Sequence, residues 1–573
     1  MKLSPRSSTA PVEGLADSPV AWWQTAVVYE VYVRSFADGN GDGIGDLEGV
    51  RSRLGYLRDL GVDALWFTPW YASPWVDGGY DVADYRQIHP DFGTVAEAET
   101  LIAEAAGLGI RTIVDVVPNH VSSQHSWFRE ALASAPGSEA RSRFWFRPGR
   151  GVRGQEPPTR WPSSFSGETW TRTTNADGSP GEWYLHLFDA EQPDLNWDDP
   201  TVRNEFEDVL RFWFDRGVAG VRVDSAAFLV KDPGLPEMEA EGTAHPFLDR
   251  DEIHDIYRRW RLVTDEYPQR ALVGEIWLPD LDRFARYLRP DELHMAFNFD
   301  FMVQPWDAGA FRHSIVETLA VHERVGAPAT WVLSNHDITR PVTRYGRDDS
   351  AFSFETKRFG IPTDLERGTA RARAAALLTG ALPGVLYVYQ GDELGLPEAE
   401  DLPTESRHDP MFFRSEGRDP GREGCRVPLP WTASGSSFGF SSASSGGSRR
   451  PWLPQPGDWG AYSVEAERAD PRSMLSLYTG MIRLRRDLPD LTDEPLEWLP
   501  SDDDVLAFRR GAVSCVVNMS DHGIELPLGA RVLIGSAPVA EGALAPDTAV
   551  WLHGESLPGD TASLPVARPA SAD

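Results

Sequence analysis

Short apolar runs alternating with stretches of helical periodicity fill most of this chain, and that alternation restricts its fold more than any other feature. The runs fall at residues 26–33, 64–67, 111–117 and 220–223, then near Leu272, Met295 and Trp331, and finally at 384–389. Helical patterns separate them at 47–60, 95–108, 201–214 and 253–266. Strand–helix repetition of this kind builds a parallel sheet with crossover helices, and eight strands is the number that closes a barrel. The predicted fold class is therefore α/β, a (β/α)8 TIM barrel formed by residues 21–120 and 200–490. Between them, residues 121–199 break the rhythm. They are rich in Trp, Pro, Ser and Gly, lack helical periodicity, and are too long for an ordinary loop. A small domain inserted after strand three is expected there. A helix over 473–488 precedes alternating runs at 505–508 and 513–517, which predict an all-β C-terminal domain, a β-sandwich over 491–573. Residues 1–20, rich in Ser, Pro and Ala, read as a loose tail.

Composition narrows the function classes. The 573 residues are 41% hydrophobic and 25% charged, as in ordinary globular proteins. A formal net charge of −32 repels nucleic acid and anionic lipid, so neither is an expected partner. Two cysteines, Cys425 and Cys515, are too few for a disulfide framework or a zinc cluster. No apolar core of a signal peptide and no run of membrane-spanning length is present, so a cytoplasmic protein is expected. Nothing in the sequence bears on oligomeric state.

The chemistry sits at the strand ends. In Gly220-Val-Arg-Val-Asp224, alternate side chains share a face, so Arg222 and Asp224 point the same way. Alone, such a pair reads as a structural ion pair. Two further carboxylates end separate apolar runs, however: Glu275 after Leu272-Val-Gly, and Asp337 in the run beginning at Trp331. Carboxylates gathered at the C-terminal ends of parallel strands are how such a barrel builds a catalytic face. Paired carboxylates that must differ in protonation are the equipment of glycoside hydrolysis. Asp224, above Arg222, is the expected ionised member; Glu275, followed by apolar Ile276 and Trp277, is the expected acid. His120 and His336 stand beside the strand ends as hydrogen-bond partners.

One loop suggests a metal. Asp38, Asn40, Asp42 and Asp46 recur at alternate positions around Gly43 and Ile44, like the first half of a calcium loop, with Gly49 where the closing glutamate would stand. Spacing alone leaves two readings open, a metal loop and a Gly/Asp turn that binds only water.

Taken together, the motifs resemble the α-amylase-type glycoside hydrolases, in the oligo-1,6-glucosidase/α-glucosidase branch. Asp115-Val-Val-Pro-Asn-His120, Gly220-Val-Arg-Val-Asp224, Gly274-Glu275-Ile-Trp and Ser334-Asn-His-Asp337 resemble that family's core regions in order. Gln192-Pro-Asp-Leu-Asn196 is similar to a further region of the branch, and Cys425-Arg-Val-Pro-Leu-Pro-Trp431 to its loop after strand eight. The resemblance implies Asp224 as nucleophile, Glu275 as acid/base, and Asp337 holding ring hydroxyls of the sugar being cleaved. It implies that Asp77 and Tyr80 grip the non-reducing glucose with His120, His336 and Arg222, and that Arg422 or Arg426 closes the pocket. It also implies a structural calcium ion on Asp38, Asn40, Asp42, the Ile44 carbonyl and Asp46, magnesium being the alternative, and no organic cofactor. The chain departs from the branch in the Ser/Gly-rich segment 433–448, expected beside the active-site mouth, and at Ser225-Ala226. Ser225 follows the nucleophile, where the branch carries valine with α-1,6 preference and alanine or threonine with α-1,4. Serine is small, which favours α-1,4.

The activity expected is retaining, exo-acting hydrolysis of short α-glucosides such as maltose. The alternatives are an oligo-1,6-glucosidase, or a transglucosylase of the trehalose synthase or sucrose isomerase type. The family's non-catalytic transporter partners lose catalytic carboxylates and carry a membrane helix, and a sugar-binding module needs no such carboxylate set.

Overall fold

The computed structural model describes residues 21–175, 177–238, 245–354, 356–441, 449–527, 529–539 and 542–554. The tail expected over 1–20 lies outside these residues, as do 442–448 of the Ser/Gly-rich segment and 555–573 of the C-terminal domain.

Eight strands form the central sheet: β1 (Val27–Val31), β2 (Ala64–Phe67), β3 (Arg111–Val116), β4 (Gly220–Val223), β5 (Ala271–Gly274), β6 (Met295–Ala296), β7 (Thr330–Trp331) and β8 (Val385–Tyr389). They lie in the order β6-β5-β4-β3-β2-β1-β8-β7, with each neighbouring pair parallel. Among the described residues no ladder joins β6 to β7. The Thr330 hydroxyl, which donates to the Ala296 carbonyl at 2.6 Å, bridges that seam. This is the expected TIM barrel.

Period-two alternation then sorts the strand residues. Val28, Trp66, Ile113, Val273, Met295 and Tyr387 fill one apolar cluster, the barrel interior. Their neighbours Val27, Leu65, Val114, Val221 and Leu272 join the larger core under the surrounding helices. Glu30, Asp115 and Glu275 lie two residues beyond Val28, Ile113 and Val273, so they share the inward face at the strands' C-terminal end.

Several local expectations change. The helical stretch 47–60 is two helices, Leu47–Ser52 and Leu54–Leu60, broken at Arg53. The inserted segment, read as lacking helical periodicity, contains an eight-residue helix, Ser126–Ala133, ahead of a three-stranded antiparallel sheet. Trp145, Trp161, Trp170, Leu185 and Leu187 make its core, joined by Phe247. Lys231 anchors it to the barrel through Asp194, 2.7 Å away with both side chains buried. The strand expected to reach Asp337 ends at Trp331, and a loop carries the carboxylate. The described part of the Ser/Gly-rich segment packs on the acidic loop, where the Asp38 N–H donates to the Phe440 carbonyl at 2.9 Å. After the helix Met474–Asp487 come a five-stranded antiparallel sheet and a two-stranded one. Among the described residues no helix is long and apolar enough to cross a membrane.

Candidate active site

Register across β3, β4 and β5 assembles the site's centre. Asp115 pairs with Arg222, and Val223 with Gly274, so Asp224 and Glu275 leave adjacent strands side by side. The buried Arg222 guanidinium holds all three acids. Its Nη1 donates to Asp224 Oδ1 at 2.7 Å and to both Asp115 oxygens at 2.9 and 2.8 Å, and its Nη2 donates to Glu275 Oε2 at 2.7 Å. Asp224 and Glu275 are thereby aimed from one rigid cation.

From there the network runs without a break. The Tyr80 hydroxyl donates to Asp115 Oδ2 at 3.0 Å and lies 2.8 Å from His336 Nε2, with the Tyr80 and His336 rings stacked at 5.3 Å. His336 Nδ1 meets Glu30 Oε1 at 2.5 Å. Asp337 is gripped by Arg426 Nη2 at 2.6 Å and by Arg422 Nη1 at 3.3 Å. Arg422 Nη2 donates to Asp77 Oδ1 at 2.6 Å, and Gln192 links Asp77 (2.9 Å) to His120 (3.1 Å). Both arginines therefore belong to the network. Arg422 spans Asp77 and Asp337, while Arg426 lies against Tyr32 and donates to the His336 carbonyl at 2.7 Å.

Charge is unbalanced here, because Glu30, Asp77, Asp115, Asp224, Glu275, Asp337 and Asp409 outnumber Arg222, Arg422 and Arg426. Burial, then the charge of Glu275, pushes the Asp224 carboxyl up against the pull of Arg222. One guanidinium is divided among three acids, so its pull on Asp224 is shared. Burial likewise pushes Asp115 up to about 7 and Asp77 up to about 6. Asp337 goes the other way. Burial would raise it, but His336, Arg422 and Arg426 together hold it well below the usual carboxylate range. Burial pushes His120 down to about 4, and lowers His336 strongly against the opposing pull of Asp337.

Ser225 has a place the sequence did not suggest. Its backbone is left-handed, φ 46°, and its N–H donates to Glu275 Oε2 at 2.9 Å. A serine in that conformation costs about 1–2 kcal/mol, and here the turn aims a donor at the acid. Sequence reading also passed over Asp115, Glu30, Gln192 and Asp409 as site residues. Asp115 carried a usable signal, a lone acid in an apolar strand on the inward face. Asp409, which takes Arg422 Nε at 2.7 Å, carried none.

The Asp38–Asp46 loop lies apart from this network. Asp38 accepts from the N–H groups of Gly41 and Gly43 at 2.6 and 2.8 Å, Asn40 from Asp42 at 2.8 Å, and Asp42 from Ile44 at 2.9 Å. Asp46 caps the helix Leu47–Ser52 through Gly49 N–H at 2.6 Å. Among the described residues, no three acidic, histidine or cysteine groups converge as a ready-made metal set. The donors on offer are nonetheless all oxygen, which suits calcium or magnesium. Asp38, Asn40, Asp42, the Ile44 carbonyl and Asp46 are the residues that would hold it.

Known proteins are similar to this chain along most of its length. The model of the α-amylase family, for the catalytic domain, matches residues 30–494. The chain is 35% identical to a probable α-glucosidase from Rhizobium meliloti (strain 1021), over 88% of this chain and 91% of that one. It is 34% identical to the oligo-1,6-glucosidase of Parageobacillus thermoglucosidasius, over 81% and 84% respectively. Among solved structures, the trehalulose synthase MutB from Pseudomonas mesoacidophila MX-45 superposes with a TM-score of 0.80 at 31% identity, over 94% of this chain and 100% of that one.

Proposed function

The chain belongs to the α-amylase family of glycoside hydrolases, and on that premise we propose that it is a retaining, exo-acting α-glucosidase of short α-glucosides. The observation that carries this reading is the single Arg222 guanidinium between Asp224 and Glu275. Retaining enzymes keep their carboxyls about 5–5.5 Å apart, and a shared cation favours that spacing over the wider one of inverting enzymes. Asp224, with Oδ1 turned to Arg222, attacks the anomeric carbon through Oδ2 while Glu275 protonates the departing oxygen. Glu275 then deprotonates the water that releases glucose. Asp337, Asp77 and His120 bind hydroxyls of the glucose, and Arg422, spanning Asp77 and Asp337, closes the pocket behind its non-reducing end. A closed end is what limits cleavage to one terminal glucose. A cytoplasmic location is part of the same reading, and the two buried free thiols are compatible with it.

The favoured linkage is α-1,4. Incubation with maltose, isomaltose, sucrose and trehalose, with products separated and the first-formed anomer read by NMR, tests the whole reading. Glucose released as the α-anomer, with maltose preferred, is the expected outcome. First-formed β-glucose would exclude double displacement. The likeness to the trehalulose synthase favours one second reading, transglucosylation, for which an isomerised disaccharide from sucrose would be the sign. Ser225→Val should shift kcat/KM toward isomaltose by a factor corresponding to about 1–3 kcal/mol. Because valine is also strained at positive φ, the ratio of the two kcat/KM values is the readout, since it does not depend on how much protein is folded.

The Asp38–Asp46 loop is assigned calcium in the same proposal. Its distance in the network from Asp224 and Glu275 makes the role structural. A chelator should therefore lower Tm by several degrees, reversed by added calcium, and change the initial rate far less. An unmoved melting curve, with no metal by elemental analysis, would remove the site.

A further inference from the structure

Resting on that assignment of Glu275, the geometry points to Trp277 as a positioning residue that dedicates one oxygen of Glu275, Oε1, to carrying the proton. The two oxygens of this carboxyl have different surroundings. Oε2 is taken twice, by Arg222 Nη2 at 2.7 Å and by the Ser225 N–H at 2.9 Å. A proton placed there would face two donors, so it goes to Oε1. Among the described residues Oε1 has one hydrogen-bond partner, the indole N–H of Trp277 at 3.2 Å. That partner is itself fixed. The indole stacks on Phe299 with centroids 3.6 Å apart and 16° between the planes, and Phe354 meets its edge at 4.8 Å.

The consequence lies in the first chemical step. As the glycosidic C–O bond breaks, the Oε1 proton passes to the departing oxygen, a bond forms between the anomeric carbon and Asp224, and Oε1 becomes anionic. The indole N–H then donates to a charged acceptor, so its bond strengthens as the transition state is reached. The neighbour that sequence reading took as mere apolar cover for the acid thus contributes a hydrogen bond. Its help matters in proportion to how much the leaving group needs a proton.

Aryl α-glucosides of similar size and graded leaving-group acidity provide the test. Trp277→Phe keeps a ring over Phe299 and removes the donor. It should lower kcat/KM on phenyl α-glucoside by about tenfold or more, and on the dinitrophenyl glucoside by less than about threefold, within the span of a general-acid contribution. A ring that only packs, or only binds the leaving group, would lower the whole series equally. Phe299→Leu, which keeps the N–H but loosens the stack, should show the same tilt to a smaller degree. An equal loss across the series in both variants, or no loss, overturns the role of Trp277. Glu275→Gln run on the same series keeps the outcomes separate. A tilt there with none in Trp277→Phe rejects only this inference, whereas a flat response in Glu275→Gln rejects Glu275 as the acid.

Discussion

Asp224→Ala should lower kcat on maltose by about 10⁴-fold or more, the scale on which removing a nucleophile acts. The fold should survive. Asp224 makes one ion pair, with Arg222 at 2.7 Å, and Arg222 keeps Asp115 and Glu275 when Asp224 is lost. Burial and the charge of Glu275 already push the Asp224 carboxyl up, so ionising it costs free energy that the alanine variant no longer carries. Tm is therefore expected to stay level or rise slightly. Alanine also vacates the space of a carboxylate facing the anomeric carbon. Azide, a small anion, should enter that space and restore turnover of an activated aryl α-glucoside, giving β-glucosyl azide in one displacement. A variant that keeps a tenth of wild-type activity, or azide rescue that yields the α-azide, would take the nucleophile's role from Asp224.

How much of this site was legible beforehand depended on whether a residue's role follows from strand periodicity. Arg222 and Asp224 share a face because they are two apart on a strand, and eight apolar runs placed that strand in a barrel. Asp115 was legible on the same ground, yet its partner becomes evident only once register sets it beside Arg222. Three features depend on geometry that no pattern encodes. The left-handed backbone of Ser225 follows from the surrounding packing and not from serine's preferences. The Trp277 N–H reaches Glu275 only because Phe299, from the segment after β6, fixes the ring. The position of residues 433–441 on the acidic loop depends on Arg449 and Trp452 as well, whose N–H groups donate to the Gly41 and Gly43 carbonyls at 3.2 and 3.0 Å from beyond the Ser/Gly-rich segment. Asp337 was expected at the end of a strand, but that strand ends at Trp331, and Arg426 with Arg422 hold the carboxylate.

Removing Arg222 should have the largest effect on stability, and the effect should depend on pH in a defined direction. Arg222→Met keeps an apolar stem against Trp66, over whose ring the guanidinium lies at 5.1 Å, but leaves Asp115, Asp224 and Glu275 without their cation. Taking one partner from a buried ion cluster costs about 3–5 kcal/mol when the remaining charges must stay ionised. They can avoid that cost by taking up protons. Asp115 already sits at about 7 with Arg222 present, above its unfolded value, so the native state binds more protons than the unfolded chain between about pH 4 and 7. Its contribution to wild-type stability is thus complete at low pH and is lost as pH rises through about 7. Without the guanidinium, which lowers this group, the folded value moves higher and the loss continues to higher pH. The variant should accordingly melt close to wild type near pH 5 and well below it at pH 8. Activity should be absent at both, because neither Asp224 nor Glu275 is then aimed. Equal Tm deficits at pH 5 and pH 8 would mean that Arg222 acts through packing, and that its charge does not govern the protonation of Asp115.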